Sequence, residues 1–144
     1  MLCAIFLSLS IAACGGGTST SSNTDTSGSA QVTTLGITDT VVGTGADAST
    51  GKTASVYYTG WLYDVKQTNK KGSQFDSNVG KTLLAFHVGS TELIAGFDQG
   101  VNGMKVGGKR TVIIPANLAY GASDAGAIPA NAAIVFDIEL VSVQ

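Results

Sequence analysis

His87 is the only histidine of this chain, and its two cysteines, Cys3 and Cys14, both fall within the first fourteen residues. One imidazole without a nearby thiol cannot build a zinc site unless carboxylates give unusual help, so no metal is expected. Serines are plentiful, yet none sits in a nucleophile elbow or shows a triad pattern with His87. Gly103-Met104-Lys105-Val106-Gly107-Gly108-Lys109 fits the opening of a phosphate-binding loop. Arg110 then stands where a magnesium-binding Ser or Thr is needed, and a β run follows where a helix should begin. Asp137 and Glu139 alternate with apolar residues and read as solvated charges on an outward strand face, not as an acid–base pair. Hydrolysis, phosphoryl transfer and metal-assisted chemistry therefore have no machinery here. Two polar residues are harder to explain by structure alone. Asp76 directly follows Phe75, and Tyr120 precedes Gly121 at the start of a loop, GASDAGAI, that is placed to carry function.

The elements that must position these residues follow from periodicity. Leu93, Ile94, Phe97 and Val101 fall at helical spacing, with Asp98, Gln99 and Asn102 opposite, and Gly100 and Gly103 are read as stopping that helix. Val112, Ile113 and Ile114 form a β run ended by Pro115. In 56–62, Val56, Tyr58 and Leu62 share one strand face and Tyr57, Thr59 and Trp61 the other. Ile134, Phe136, Ile138 and Leu140 give one fully apolar face, the mark of a central strand. Further β runs are expected at Gln31–Gly36, Thr38–Val42 and Leu83–Val88, and Tyr63–Gln74 is read as a solvated bulge or hairpin tip. Six or so strands and one short helix make an α+β domain, in which the helix must lie on one face of an antiparallel sheet.

A length of 144 residues holds one ordinary domain and a tail, and 44% hydrophobic with 12% charged residues describes a well-cored domain. The net charge of −2 gives no electrostatic case for nucleic acid. Basic residues cluster only at Lys70-Lys71 and Lys109-Arg110, which are read as solvated. Leu2 to Ala13 is too short to span a bilayer core, which takes about 20 residues, and reads as a signal peptide over 1–13. Ile11-Ala12-Ala13-Cys14 resembles a bacterial lipobox, which makes Cys14 the expected lipidation site. Gly/Ser/Thr-rich residues 14–30 read as a flexible tether with an end-to-end distance of roughly 20 Å, and 31–144 as the domain. The expected location is the bacterial cell envelope, lipid-anchored (at the outer membrane or periplasmic face if Gram-negative), or secreted if the lipobox is unused.

The segments VYYTGWL (56–62), FDSN (75–78), ELIAGFDQGVNGMKVGGKR…IIP…LAYG (92–121) and IPANAAIVFDIELVSV (128–143) together resemble an FKBP-type peptidyl-prolyl cis–trans isomerase, in the family's order from Thr53 to Val143. The resemblance implies a curved antiparallel sheet wrapped around one short helix. It also implies an enzyme without a cofactor, since rotating an X-Pro bond needs no nucleophile or metal. Residue by residue, the resemblance gives Phe97 as the floor for the proline ring and Tyr58, Phe75 and Phe136 as walls. Ile94 offers a backbone N–H, Tyr120 a hydroxyl, and Asp76 an acceptor within the pocket. Phe86, Leu93, Ile128 and Leu84 complete the substrate-binding set. The family very often has Trp at the position of Phe97 and an aromatic at that of Leu84, so these two depart from its pattern. Taken alone, Phe86 and Phe136 are ordinary core residues. The implied partners are proline-containing polypeptides, macrolide immunosuppressant-type ligands, and a membrane through the lipid anchor. A monomer is expected. The competing reading is a binding or chaperone module that holds proline segments without catalysis, although the loop from Gly121 to Ile128 has no room for an inserted chaperone domain.

Overall fold

The computed structural model describes residues 26–144. Six strands run as β1 (Gly36–Val41), β2 (Thr53–Tyr63), β3 (Lys71–Ser77), β4 (Leu84–His87), β5 (Lys109–Ile114) and β6 (Ile134–Val143). One helix, α1 (Ala95–Val101), lies between β4 and β5. The order across the sheet is β1-β5-β6-β2-β3, with β4 also paired to β2, and every pairing is antiparallel. β6 is central, as its apolar face requires: Ile134, Phe136, Ile138 and Leu140 point into the core, where burial of each is worth about 1.5–3 kcal/mol. The α+β expectation holds, with the helix laid across the inner face of the sheet.

Gly100 does not stop the helix. It lies inside α1, and a Cβ there would come within 2.9 Å of Val112 Cγ2, so the missing side chain lets α1 press onto β5. The turn out of the helix belongs to Gly103, whose φ of +91° is left-handed. Arg110 finishes that end, donating from Nη1 to the carbonyls of Gly100 (2.8 Å) and Asn102 (3.3 Å) where the helix dipole is negative. Its Nε donates to Asp39 Oδ1 at 2.6 Å.

Arg110 and Lys71 are therefore paired structural cations, not the solvated charges expected from sequence. Lys71 Nζ donates to Asp137 Oδ2 at 2.6 Å and lies 4.4 Å from the Trp61 ring centroid, while Thr111 Oγ1 donates to Asp137 Oδ1 at 2.8 Å. Asp137 is in turn a fixed acceptor on the outer face, and not a free surface charge. The expected strand at 31–36 is absent as well. Ser29–Gln31 forms a 3₁₀ turn, and pairing starts only at Gly36, opposite Ile113. β5 ends at Ile114 before Pro115, so in this register residues ahead of Leu35 have no strand to join. The hairpin tip is shorter than expected, because β2 continues to Tyr63 and β3 already begins at Lys71. The last residues of the tract read as a tether are packed: Ser29 is buried and the Val65 N–H donates to the Ser27 carbonyl at 2.8 Å. The signal peptide, Cys14 and the rest of the tether lie outside the described residues.

Candidate active site

Strand alternation and the helix bring five rings together on the inner face of the sheet. Tyr58 comes from β2, Phe75 from β3, Phe86 from β4, Phe97 from α1 and Phe136 from β6. Phe97 and Phe136 stand edge to face at 5.0 Å, and Tyr58 meets both at 5.8 Å. Phe75 meets Phe136 at 5.6 Å, and Phe86 meets Phe97 at 5.8 Å. Such perpendicular pairs satisfy the ring quadrupoles and fix each ring's tilt. Phe86, only 2% exposed, backs Phe97 from the core side. Leu84, Leu93 and Ile94 are half-buried against the same core, and Ile128, at the end of the loop after Tyr120, is buried.

The polar handle stands at the rim of this set. The Tyr58 hydroxyl donates to Asp76 Oδ2 at 2.7 Å, and the other carboxylate oxygen accepts the Ser77 N–H at 2.8 Å. Burial, then the hydrogen bond to Asp76, pushes the Tyr58 hydroxyl up to about 12 from the ordinary 10.0. Tyr120 lies close enough to add to that shift electrostatically, and it is exposed. The pH consequence has a definite sign. Between about 10 and 12 the unfolded chain's Tyr58 ionises while the folded one keeps its proton. The stability that depends on its neutral form is thus complete below pH 10 and is lost as pH rises towards 12. Urea unfolding at pH 9 and pH 11 should therefore show a smaller drop for Tyr58→Phe than for the native protein. An equal drop would place the sensitivity elsewhere.

Ile94 caps α1 without a side-chain hydrogen bond; its carbonyl accepts the N–H groups of Phe97 (3.1 Å) and Asp98 (3.2 Å). Among the described residues nothing accepts from its own N–H. No cluster of metal-ligating side chains occurs among the described residues. The two larger cavities lie outside the aromatic cluster, though Tyr58 also borders the first. One of about 310 Å³ is on the outer face, lined by Tyr57, Thr59, Lys71, Thr111 and Asp137 among others, and its central ion pair is already satisfied. The other, about 1430 Å³, lies between residues 26–33 and the loop residues 116–132. Neither carries the aromatic set.

Two residues that shape this arrangement are not evident from sequence. Gly60 sits in β2 opposite Phe136 and Asp76. A Cβ there would lie 2.6 Å from Phe75 Cζ and 2.7 Å from Phe136 Cε1, so only glycine leaves these rings their places. A glycine inside a strand pattern is the signal that could have found it. The other is Asn78, a buried amide bonded to the backbone of β2, and no spacing rule marks it.

A family model for FKBP-type peptidyl-prolyl cis-trans isomerase matches residues 45–141, more than half of the chain. The chain is 40% identical over 106 residues to FK506-binding protein 1 of Aspergillus oryzae, spanning 71% of this chain and 91% of that protein. It is 46% identical over 101 residues to the peptidyl-prolyl cis-trans isomerase FKBP53 of Arabidopsis thaliana, 69% of this chain but 20% of that longer protein. Its fold superposes on the crystal structure of AtFKBP13 with a TM-score of 0.65 at 36% identity, covering 76% of this chain and 93% of the other. With one helix laid over a six-stranded antiparallel sheet, and a family match running from residue 45 to 141, the chain belongs to the FKBP-type peptidyl-prolyl cis-trans isomerase family.

Proposed function

We propose that the aromatic set around Phe97 is where this isomerase lowers the barrier to X-Pro rotation, and that it does so for proteins outside the cytoplasm. The barrier, about 18–20 kcal/mol, comes from amide resonance and falls when the bond twists. An apolar, ring-lined surface favours the twisted, less charge-separated amide over the planar one, which is binding directed at the transition state. The proline ring packs on Phe97 between Tyr58, Phe75 and Phe136. The Ile94 N–H and the Tyr120 hydroxyl hold the flanking carbonyls. Asp76 acts by fixing the Tyr58 hydroxyl and takes no proton. The observation that carries this reading is the 2.7 Å Tyr58–Asp76 hydrogen bond at the rim of rings that are otherwise wholly apolar. The same surface is proposed to accept macrolides of the FK506 kind, for which the Aspergillus relative is named.

A protease-coupled isomerisation assay on a short X-Pro peptide tests the site. Asp76→Ala removes one charge-assisted hydrogen bond worth about 1.5 kcal/mol, so kcat/KM should fall roughly tenfold with the fold intact. Tyr120→Phe should fall less, because that hydroxyl is exposed. A well-folded native protein without acceleration would instead favour the proline-segment binding module. The envelope location rests on Ile11-Ala12-Ala13-Cys14. Fatty-acid labelling of the full chain in a bacterial host, abolished by Cys14→Ser, is the expected result. Unlabelled, freely secreted protein would overturn the anchor.

A further inference from the structure

We propose that Asn78 is a positioning residue for the isomerase, holding the backbone of Tyr58 and through it the Tyr58–Asp76 hydrogen bond; the inference rests on the assignment of the site to the aromatic set. It starts from a gap in the sheet. β2 pairs with β4 over Thr53–Val56 and with β3 from Thr59 onward, so at Tyr57–Tyr58 this edge of β2 has no strand residue beside it. Tyr58 is the residue that the site needs fixed.

Asn78 occupies the gap. Its backbone N–H donates to the Tyr58 carbonyl at 3.1 Å. Its Oδ1 accepts the Tyr58 N–H at 2.7 Å, and its Nδ2 donates to the carbonyls of Val56 (3.1 Å) and Thr82 (3.2 Å). One N–H and two carbonyls demand one acceptor and two donors on a single short side chain, which only the Asn amide supplies at this length. The same partners fix which way the amide points. Ser77 adds a bond from its hydroxyl to the Tyr58 carbonyl at 3.2 Å. Asp76, two residues before Asn78, takes the Tyr58 hydroxyl. The end of β3 and the residue after it, Asp76-Ser77-Asn78, thus grip Tyr58 at both its backbone and its tip. Asn78 itself is 9% exposed and cannot meet substrate directly, so any effect on catalysis passes through Tyr58.

The test is a double-mutant cycle on the full chain, reading kcat/KM for the native protein, Asn78→Ala, Tyr58→Phe and the pair. Asn78→Ala should lower kcat/KM roughly tenfold, short of the ~100-fold that a misplacement of about 1 Å can cost. In the Tyr58→Phe background, where no hydroxyl remains to be placed, the same change should cost less than about twofold. A purely structural role would cost the same factor in both backgrounds, and that result overturns the proposal. Should Asn78→Ala fail to fold, Asn78→Ser, which keeps a short polar group, carries the same cycle with the same two outcomes. Should Tyr58→Phe alone leave kcat/KM unchanged, the site assignment fails and the proposal falls with it, a result that this single variant distinguishes from the first.

Discussion

Phe97→Ala should destabilise the protein by about 3–5 kcal/mol, the usual loss when a buried aromatic is truncated. Phe97 is 3% exposed and is the ring on which Tyr58, Phe86 and Phe136 all converge. Its removal opens a cavity in the middle of the set and ends three edge-to-face contacts at once. The cavity cannot close easily, because α1 is already pressed onto β5 at Gly100 and has no slack to move inward. A loss of this size is a large share of the 5–15 kcal/mol typical of a domain. Urea unfolding should show a lower midpoint with an unchanged slope. At a temperature where the variant is still folded, isomerase activity should be all but gone, since the surface proposed to receive the proline ring has been removed. A change below about 1 kcal/mol would mean that Phe97 is not the keystone of these rings.

Much of this arrangement is legible in the sequence because it is written in local periods. The spacing of Ile94, Phe97 and Val101 gives α1, and the alternation from Ile134 to Leu140 gives a central strand; both need only neighbours three or four, or two, residues away. The rings follow from the family resemblance and not from periodicity, and the geometry gathers Tyr58, Phe75, Phe97 and Phe136 in contact. What periodicity misses depends on distant partners. Arg110 looks like a solvated cation until Asp39, 71 residues earlier, is placed beside it. Lys71 and Asp137 are 66 residues apart in sequence and 2.6 Å apart in space. Gln31–Gly36 has the composition of a strand, yet β5 ends too early to pair with it, and composition carries no information about a partner's length. Gly100 reads as a helix stop because glycine usually is one. Its real role appears only with Val112 opposite.

Gly60 is the same kind of residue within the site, and it yields the sharpest separation of activity from stability. At an unobstructed strand position, replacing glycine by alanine should stabilise by roughly 0.5–1 kcal/mol, since the unfolded chain loses freedom. Here the added methyl would stand 2.6 Å from Phe75 Cζ and 2.7 Å from Phe136 Cε1. Phe136 is held by Phe97 and Tyr58 and can yield little, whereas Phe75 is half-buried on edge strand β3 and can swing outward. Gly60→Ala should therefore cost about 1–3 kcal/mol of stability through overpacking, with the displacement concentrated in the Phe75 wall. A wall moved by about an ångström misplaces the proline ring, and kcat/KM should fall by roughly 10- to 100-fold. Asp76 lies directly across the ladder from Gly60, so the same shift loosens the Tyr58–Asp76 bond. Trimming the wall in the double variant Gly60→Ala, Phe75→Leu should recover much of the lost stability but little of the activity. If Gly60→Ala proves more stable than the native protein and fully active, the close approach of β2 to the two rings is not what keeps glycine at this position.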